Sequence, residues 1–291
     1  MRSEEILQDE VRGQKAAWIE QVIRDFWDTA ANSLENGTGE KAWGEPRVAF
    51  ARGDDPLYEE LKADIGPFFW TPAEAFALAF PDAPLPAGRL AVISYILPQT
   101  EATRADQRRE NEVPAERWAR SRFFGEAFNC ELRLHLAAAL TAAGFPAVAP
   151  ERLPGFAYRQ SERYGLASNW SERHTAWIAG HGTFGLSDGL ITELGKAVRF
   201  GSVVAAIDLE PTPRPYAGHQ DWCLWYARGT CGACIRRCPA DAITEAGHDK
   251  QKCFDYIRNV TTPYATEHYG TGATPCGLCQ VKIPCEARNP L

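Results

Sequence analysis

Eight of the nine cysteines fall in the last quarter of the chain, between Cys223 and Cys285. Among them, Cys231, Cys234 and Cys238 form a C-x2-C-x3-C pattern that is followed at once by a proline. In bacterial ferredoxins, two thiolates at x2 spacing reach one cluster, and the thiolate of the Cys-Pro unit ligates a second cluster. The pattern therefore predicts two [4Fe-4S] clusters in a compact C-terminal module.

The eight cysteines divide into two sets of four, one for each cluster. We assign the first cysteine set as Cys223, Cys231, Cys234 and Cys285, and the second cysteine set as Cys238, Cys253, Cys276 and Cys279. A ferredoxin would carry a ligand at Arg228, three residues before the x2 pair, so we interpret Cys223 as a ligand displaced by an insertion. Two structural zinc sites are the alternative, because four-cysteine zinc sites also use C-x2-C pairs. The proline after Cys238 favours iron–sulfur.

Composition and charge limit the remaining function classes. The chain has 291 residues, of which 45% are hydrophobic, which is enough apolar material for one or two globular domains. No apolar run approaches the roughly 18 residues that would span a bilayer, and the N-terminus is acidic where a signal peptide would be basic. We therefore expect a soluble, cytoplasmic protein without a membrane partner. The net charge of -7 does not favour a polyanion such as tRNA.

Mixed helices and strands must position the cysteines. Apolar residues at three- and four-residue spacing predict a helix over about residues 4–30, and a similar stripe over 124–140 predicts a second helix that stops at Gly144. Residues 90–97 and 202–207 are apolar runs that predict buried strands. The polar stretch 100–114 predicts a surface loop.

The best domain boundary is a stretch with three prolines at residues 210–215, which predicts a stiff linker. We therefore predict an α+β domain over residues 1–209, followed by a small ferredoxin-like iron–sulfur domain over residues 210–291. Cys130 lies on the second predicted helix, away from the other cysteines, and is expected to be a plain buried thiol.

A second block of residues lies upstream of the linker. Glu172 and Arg173 begin a predicted helix, which leads into a Gly-rich bend with Gly180, Gly182 and Gly185. Glycines let a backbone approach a wide, flat ligand and offer it N–H groups. The bend also matches the dinucleotide motif G-x-G-x-x-G, but that motif must leave a strand and enter a helix, whereas here a predicted helix precedes it.

Together the two blocks resemble the epoxyqueuosine reductases and, more distantly, the reductive dehalogenases, over about residues 165–291. The resemblance implies a nitroreductase-like, corrinoid-binding α/β domain, with a base-off cobalamin between that domain and a cluster. It places Gly180, His181, Gly182 and Gly185 against the corrin. It further implies an electron donor such as ferredoxin or flavodoxin and reduction of a small or nucleoside-type substrate. FMN in place of the corrinoid is the alternative cofactor.

The sequence departs from this family at the expected proton donor. The family's Asp stands six residues before the Glu of its Glu-Arg pair, and that position is Leu166 here. The Lys that often follows its last Gly is Leu186. The candidate catalytic residues are therefore Tyr158, Tyr164 and His181, with His174 and Asp188 nearby, and we expect Glu172 and Arg173 to form a salt bridge or cap. An electron-transfer protein without its own substrate is the alternative, because it needs no proton donor.

Overall fold

The computed structural model describes the backbone of residues 2–291 and the side chains of residues 13–291. The helices are α1 (Arg2–Trp27), α2 (Leu57–Ile65), α3 (Pro72–Ala79), α4 (Glu101–Gln107), α5 (Glu116–Ala142), α6 (Glu172–Ile178), α7 (Leu224–Arg228), α8 (Ala233–Arg237), α9 (Lys250–Tyr256) and α10 (Thr262–Tyr269). The strands are β1 (Arg47–Arg52), β2 (Ala91–Pro98), β3 (Ala147–Val148), β4 (Tyr158–Ser161), β5 (Gly165–Ser168), β6 (Gly182–Phe184), β7 (Leu190–Thr192), β8 (Val198–Ala205), β9 (Ile243–Thr244) and β10 (Gly247–His248). A π-helical turn at Ile257–Thr261 joins α9 to α10.

A four-stranded antiparallel sheet lies at the centre of the fold, in the order β1-β2-β8-β3. The two predicted strands are its middle members, β2 and β8, and they are paired over eight residues. Seven of the eight residues of β2 are buried, because both faces of the sheet are covered by helices. The apolar runs in the sequence therefore identified the centre of the sheet.

Helices cover the sheet in two layers. On one face, Ile23 of α1 and Leu132 of α5 pack with Ile93 of β2 in one buried cluster. On the other face, residues of α2, α3 and α6 pack with Val92 and Val204. Successive residues of β2 thus point into different cores, as the pleat of a strand requires. The arrangement is a mixed α/β domain, in agreement with the class predicted for the N-terminal part.

The prediction of a surface loop over residues 100–114 is wrong for its first half, which forms α4. The side chain of Thr100 caps this helix by accepting a hydrogen bond from the backbone N–H of Thr103. Thr103 and Gln107 are buried, and Arg104 and Arg108 pair with Glu286 near the end of the chain. The charges that made this stretch look solvated are used for contacts with a distant segment.

The Gly-rich bend is a β-hairpin, since β6 pairs antiparallel with β7. The G-x-G-x-x-G motif therefore follows helix α6 and opens a hairpin, which is the reverse of what a dinucleotide-binding turn requires. The dinucleotide interpretation is wrong for this reason.

The cysteine-rich segment packs along one side of the α/β layers. The linker runs beside β1, where the backbone N–H of Thr212 donates to the carbonyl oxygen of Phe50 at 2.9 Å. At the far end, the backbone N–H of Lys196 donates to the carbonyl oxygen of Cys285 at 2.8 Å. The division into domains at residue 210 stays a prediction. None of the helices in the described part of the chain combines the length and the apolar character that a membrane crossing needs.

Candidate functional site

The first cysteine set lines a single, partly open cavity. Cys223 caps α7, Cys234 lies in α8, and Cys285 returns to the cavity from the end of the chain. Cys231 precedes α8 with a φ of +93°, an unusual backbone conformation for a side chain with a Cβ. The structure therefore brings together the four thiols assigned to the first cluster, although three separate stretches of chain supply them.

A buried lysine shares this cavity. Lys196 is 3% exposed, lines the cavity, and donates a hydrogen bond to the hydroxyl of Ser187. Burial acts to lower the pKa of Lys196, but the negative charges of Cys279, Cys285 and two other thiols raise it. Leu186, at the position of the family's lysine, lines the same cavity. The chain thus holds a cation beside the thiols from a different position.

Three stretches of chain supply the second cysteine set. Cys238 ends α8, Cys253 lies in α9, and Cys276 and Cys279 flank the start of the 3-10 turn at Leu278–Gln280. Burial raises the pKa of Cys276 to about 12, and the negative charges of the other three members also raise it. Burial, with the charges of Cys279 and Cys238, likewise raises the pKa of Cys253 to about 12. These four thiols are therefore close enough to influence one another.

The two sets are neighbours. Burial raises the pKa of Cys234, and Cys279 of the second set contributes to this rise together with members of the first set. Cys223, Cys234, Cys238, Cys279 and Cys285 all pack in one apolar cluster. Among the described residues, no three His, Cys, Asp or Glu side chains converge closely enough to hold a single metal ion. Cys130 is separate, and its Sγ lies 3.6 Å from Nη1 of Arg133 on α5.

The glycines of the bend pack against the protein itself. A Cβ on Gly182 would overlap the carbonyl oxygen of Ile191 across the hairpin, and Gly180 has a φ of +96° beside the carbonyl oxygen of Pro213. Gly185 lines the cysteine cavity. Gly180 and Gly182 therefore need glycine for packing against the chain itself, whereas Gly185 faces the cavity. Corrin contact by Gly180, Gly182 and Gly185 stays a prediction.

The three candidate catalytic side chains differ in accessibility. The Nε2–H of His181 donates to the carbonyl oxygen of Ser94 at 3.1 Å, and burial lowers the pKa of His181 to about 4. The hydroxyl of Tyr164 donates to Asp64 at 2.5 Å, and burial together with that contact raises its pKa to about 12. Tyr158 on β4 is 65% exposed, and its hydroxyl has no partner among the described residues. Tyr158 is thus the most accessible of the three.

Neither of the two other nearby candidates is free. Burial lowers the pKa of His174 to about 3, and its Nδ1 lies 2.8 Å from the hydroxyl of Ser171. Burial acts to raise the pKa of Asp188, but its contact with His248 lowers it. Leu166 lies on β5 and is 48% exposed.

A buried charge network, which the sequence analysis did not identify, lies beneath these residues. Arg133 is fully buried, and its guanidinium lies 2.6 Å from Glu151, 3.4 Å from Glu126 and 3.4 Å from Glu172. Burial raises the pKa of Glu172 to about 7, and the negative charge of Glu151 raises it further against the effect of Arg133. Glu172 therefore pairs with Arg133, whereas the sequence analysis had grouped it with Arg173.

Arg173 does not share that bridge, because its Nη1 donates to the carbonyl oxygen of Asp188 at 2.5 Å.

Solved structures show which fold this is. No protein-family model matches the sequence, and neither does any curated protein. The catabolic reductive dehalogenase NpRdhA, in complex with 3-bromo-4-hydroxybenzoic acid, is 14% identical, with a TM-score of 0.52 over 93% of this chain and 36% of that chain. The chain has the fold of a reductive dehalogenase. It spans about a third of that protein's length.

Two further structures match less well. The epoxyqueuosine reductase from Streptococcus thermophilus is 14% identical, with a TM-score of 0.46 over 84% of this chain and 64% of that chain. Another reductive dehalogenase, whose structure suggests a mechanism for B12-dependent dehalogenation, is 14% identical, with a TM-score of 0.46 over 82% of this chain and 33% of that chain. The resemblance inferred from the sequence is confirmed at the level of the fold by NpRdhA.

Two signals in the sequence could have identified the residues that the sequence analysis missed, which are the buried charge network around Arg133 and the buried Lys196. Arg122 and Glu126 stand at positions i and i+4 on α5. Arg133 lies about two helical turns after Glu126, on the same side of the helix. Lys196 is the only basic residue in the otherwise apolar and acidic stretch between residues 186 and 198. Neither signal names a partner, because the groups they contact lie far away in sequence.

Proposed function

We propose that this protein is an iron–sulfur reductase with one [4Fe-4S] cluster on each cysteine set. The observation that carries the proposal is the cavity that Cys223, Cys231, Cys234 and Cys285 line beside the buried Lys196. Four thiols match the ligand number of such a cluster, and a buried cation offsets the negative charge that four thiolates and a cluster bring. The residues present therefore fit this group.

The chain's own residues prepare the site for electron transfer. A bound [4Fe-4S] cluster accepts and releases one electron at a time. The apolar side chains of Leu186 and Ile191 line the cavity of the first set, and Lys196 holds a fixed positive charge there. Members of both sets, Cys234 and Cys279 among them, pack in one apolar cluster, so the two proposed cluster sites are neighbours.

We propose a corrinoid as the acceptor, with a small or nucleoside-type molecule as the substrate and a ferredoxin or flavodoxin as the donor in the cytoplasm. Support for the corrinoid comes from the sequence resemblance and from the reductive dehalogenase fold. Since the glycines of the bend are occupied by packing, we assign no residue to corrin contact. Tyr158 is the proposed proton donor, because its hydroxyl is accessible and unpartnered among the described residues.

A second candidate function is electron transfer to another protein, without a substrate of its own. The exposed Leu166 favours it, because the position at which the family carries an acid cannot supply a proton. Visible spectra after anaerobic addition of cobalamin separate the two. A stoichiometric base-off corrinoid band supports the reductase, whereas iron–sulfur absorption alone supports the carrier, and a flavin spectrum in the purified protein supports FMN.

Iron and sulfide analysis of anaerobically prepared protein tests the clusters themselves. Two cubanes predict about eight irons and about eight sulfides per chain. Cys238→Ser is expected to lower both to about four, with the EPR signal of the first cluster retained. Cys130→Ser is the matched control and should leave both values unchanged. Stoichiometric zinc, or colourless protein, would show that the proposal is wrong.

A further inference from the structure

Two arginines share a single carboxylate at the outer end of the buried charge network. Nη1 of Arg122 on α5 lies 3.8 Å from Oε2 of Glu126, and Nε of Arg199 on β8 donates to the same oxygen. Nη1 of Arg133 lies 3.4 Å from the other oxygen of Glu126. Of these three arginines, only Arg133 has further carboxylate partners among the described residues. Glu126 thus faces three guanidinium groups and neutralises one charge.

Arg122 and Arg199 keep N–H groups that nothing in the described part of the chain engages. Arg122 makes no hydrogen bond there, and Arg199 donates only through Nε. Their side chains are 22% and 29% exposed, so a solute can reach them. The charge of Arg199 is the main cause that lowers the pKa of Arg122 to about 10, with burial second. An oxyanion between the two groups would relieve this repulsion.

The surroundings of this pair are positive, in contrast to the net charge of -7 on the whole chain. Five arginines and four acidic residues make up the network and its margin, namely Arg122, Arg133, Arg152, Arg173 and Arg199 with Glu126, Glu151, Glu172 and Asp188. Burial raises the pKa of Glu172, which disfavours its charged form relative to an exposed carboxylate. The local field therefore attracts anions.

Electrostatic interactions connect the arginine pair with Tyr158 and with Arg173. Arg173 is within electrostatic range of Arg199, Tyr158 and Cys253, which all act on its pKa, although burial and Asp188 act on it more strongly. Tyr158 also acts on the pKa of Arg122. A ligand held by Arg122 and Arg199 would therefore lie within electrostatic range of the exposed Tyr158.

We propose that Arg122 and Arg199 bind the carboxylate of a small organic acid, and that this acid is the substrate class of the reductase. That the two arginines bind a carboxylate is argued from their geometry alone. That the bound acid is the substrate rests on the proposed function. Paired guanidinium groups offer parallel N–H donors that match the two oxygens of a carboxylate. A phosphate shares this chemistry, and the phosphodiester of a corrinoid is its other source.

Calorimetric titration of the anaerobic full-length protein with sodium benzoate tests the site, with benzamide as the uncharged probe. We expect benzoate to bind and benzamide not to bind. Arg122→Gln and Arg199→Gln should each weaken benzoate binding by about tenfold, since each removes charge-assisted hydrogen bonds. Arg109→Gln, which removes an exposed charge on another surface, is the matched control and should have no effect.

Glu126→Gln provides a test of opposite sign. Because Glu126 competes with a bound anion for both arginines, its neutral isostere should strengthen benzoate binding several-fold. Thermal unfolding of each variant confirms that it is folded. Equal binding of benzoate to wild type and to Arg122→Gln, or no binding of benzoate to either wild type or Glu126→Gln, would overturn the proposal.

A parallel titration with hydroxocobalamin distinguishes the two sources of the anion. If Arg122→Gln weakens binding of hydroxocobalamin but leaves benzoate unaffected, the anion belongs to the corrinoid and the proposal is wrong. Iron analysis of the same samples separates the anion site from the proposed reductase function. A protein that binds benzoate but contains no iron would contradict the reductase and would still support the anion site.

Discussion

The two cysteine sets are held by different parts of the α/β layers. The first set depends on the β7–β8 connection, where Gly195 lies against the backbone of Glu286 and Lys196 bonds to the carbonyl oxygen of Cys285. The second set depends on α4 and α5, where Gln107 donates to the carbonyl oxygen of Cys276 at 2.8 Å and Trp118 packs on Gly277. The two sets therefore have different main supports, although α4 contacts both, since Arg104 and Arg108 also pair with Glu286 beside Cys285.

Gly277→Ala should have the largest effect and should act on the second set. Gly277 has a φ of +60°, and a Cβ there would overlap the ring of the buried Trp118. Overpacking and the left-handed backbone together should lower the free energy of unfolding by about 3–5 kcal/mol. We expect loss of the second cluster's iron and retention of the first, measured by denaturant unfolding and iron analysis.

Two further glycines make this result specific. Gly229→Ala is the matched control, because Gly229 has a φ of +62° but nothing within 4 Å of its added Cβ. It should show only the backbone penalty of about 1–2 kcal/mol, with both clusters intact. Gly195→Ala, whose Cβ would overlap the carbonyl oxygen of Glu286, should instead remove iron from the first cluster. Loss of the same cluster in Gly277→Ala and Gly195→Ala would contradict the idea of separate supports.

Glu286→Gln should have an intermediate effect, centred on the first set. The carboxylate of Glu286 is 9% exposed, lies 2.6 Å from Arg108 and 3.4 Å from Arg104, and accepts from the backbone N–H of Lys282 at 2.7 Å. The neutral amide leaves both arginines with only the exposed Glu101 as a charge partner, next to Cys285. We expect a loss of about 2 kcal/mol in unfolding free energy, measured by denaturant titration.

Glu101→Gln is a control that uses the same arginines. Glu101 also pairs with Arg104 and Arg108, but its side chain is 64% exposed, so its contribution is screened by water. We expect a change below about 1 kcal/mol. If both variants lose the same amount, burial of the Glu286 contact has no special role in holding Cys285.

Patterns within a short stretch of sequence predicted the local structure of that stretch well. Contacts between distant stretches of the chain were missed. The apolar run at residues 90–97 became the central strand β2, because burial on both faces leaves a continuous apolar signature. The charged stretch after Thr100 was predicted as a loop, since nothing nearby shows that Arg104 and Arg108 meet Glu286. Only the tertiary fold makes that stretch a helix.

The candidate site shows the same division. The order of the cysteines led us to group Cys223 and Cys285 into one set, and both line one cavity in the structure, while their role as ligands of one cluster stays a prediction. The glycines of the bend were interpreted as a ligand cradle because glycine permits close approach of any backbone. In the structure, the approaching backbone at Gly182 is that of Ile191. Composition can indicate that space is needed without showing what fills it.

Lys196→Met should have the smallest effect and should distinguish the two clusters by potential. A buried positive charge favours the more negative, reduced state of a cluster, so its removal should lower the reduction potential by on the order of tens of millivolts. The shift should be larger for the first cluster, because Lys196 lines its cavity and three of its thiols raise the lysine's pKa. The second cluster should shift less, through Cys279 alone. An EPR-monitored redox titration measures both potentials in one sample.

Lys282→Met is the control for this experiment, since Lys282 is basic and close to Cys285 in sequence but exposed to water. Solvent screens its charge, so neither potential should move measurably. Equal shifts in the two lysine variants would mean that total charge sets the potentials and that the position of Lys196 does not matter. If the reduction potential of the second cluster shifted more than that of the first, the main influence of Lys196 would lie at Cys279. Lys196 would then not explain the difference between the two cysteine sets.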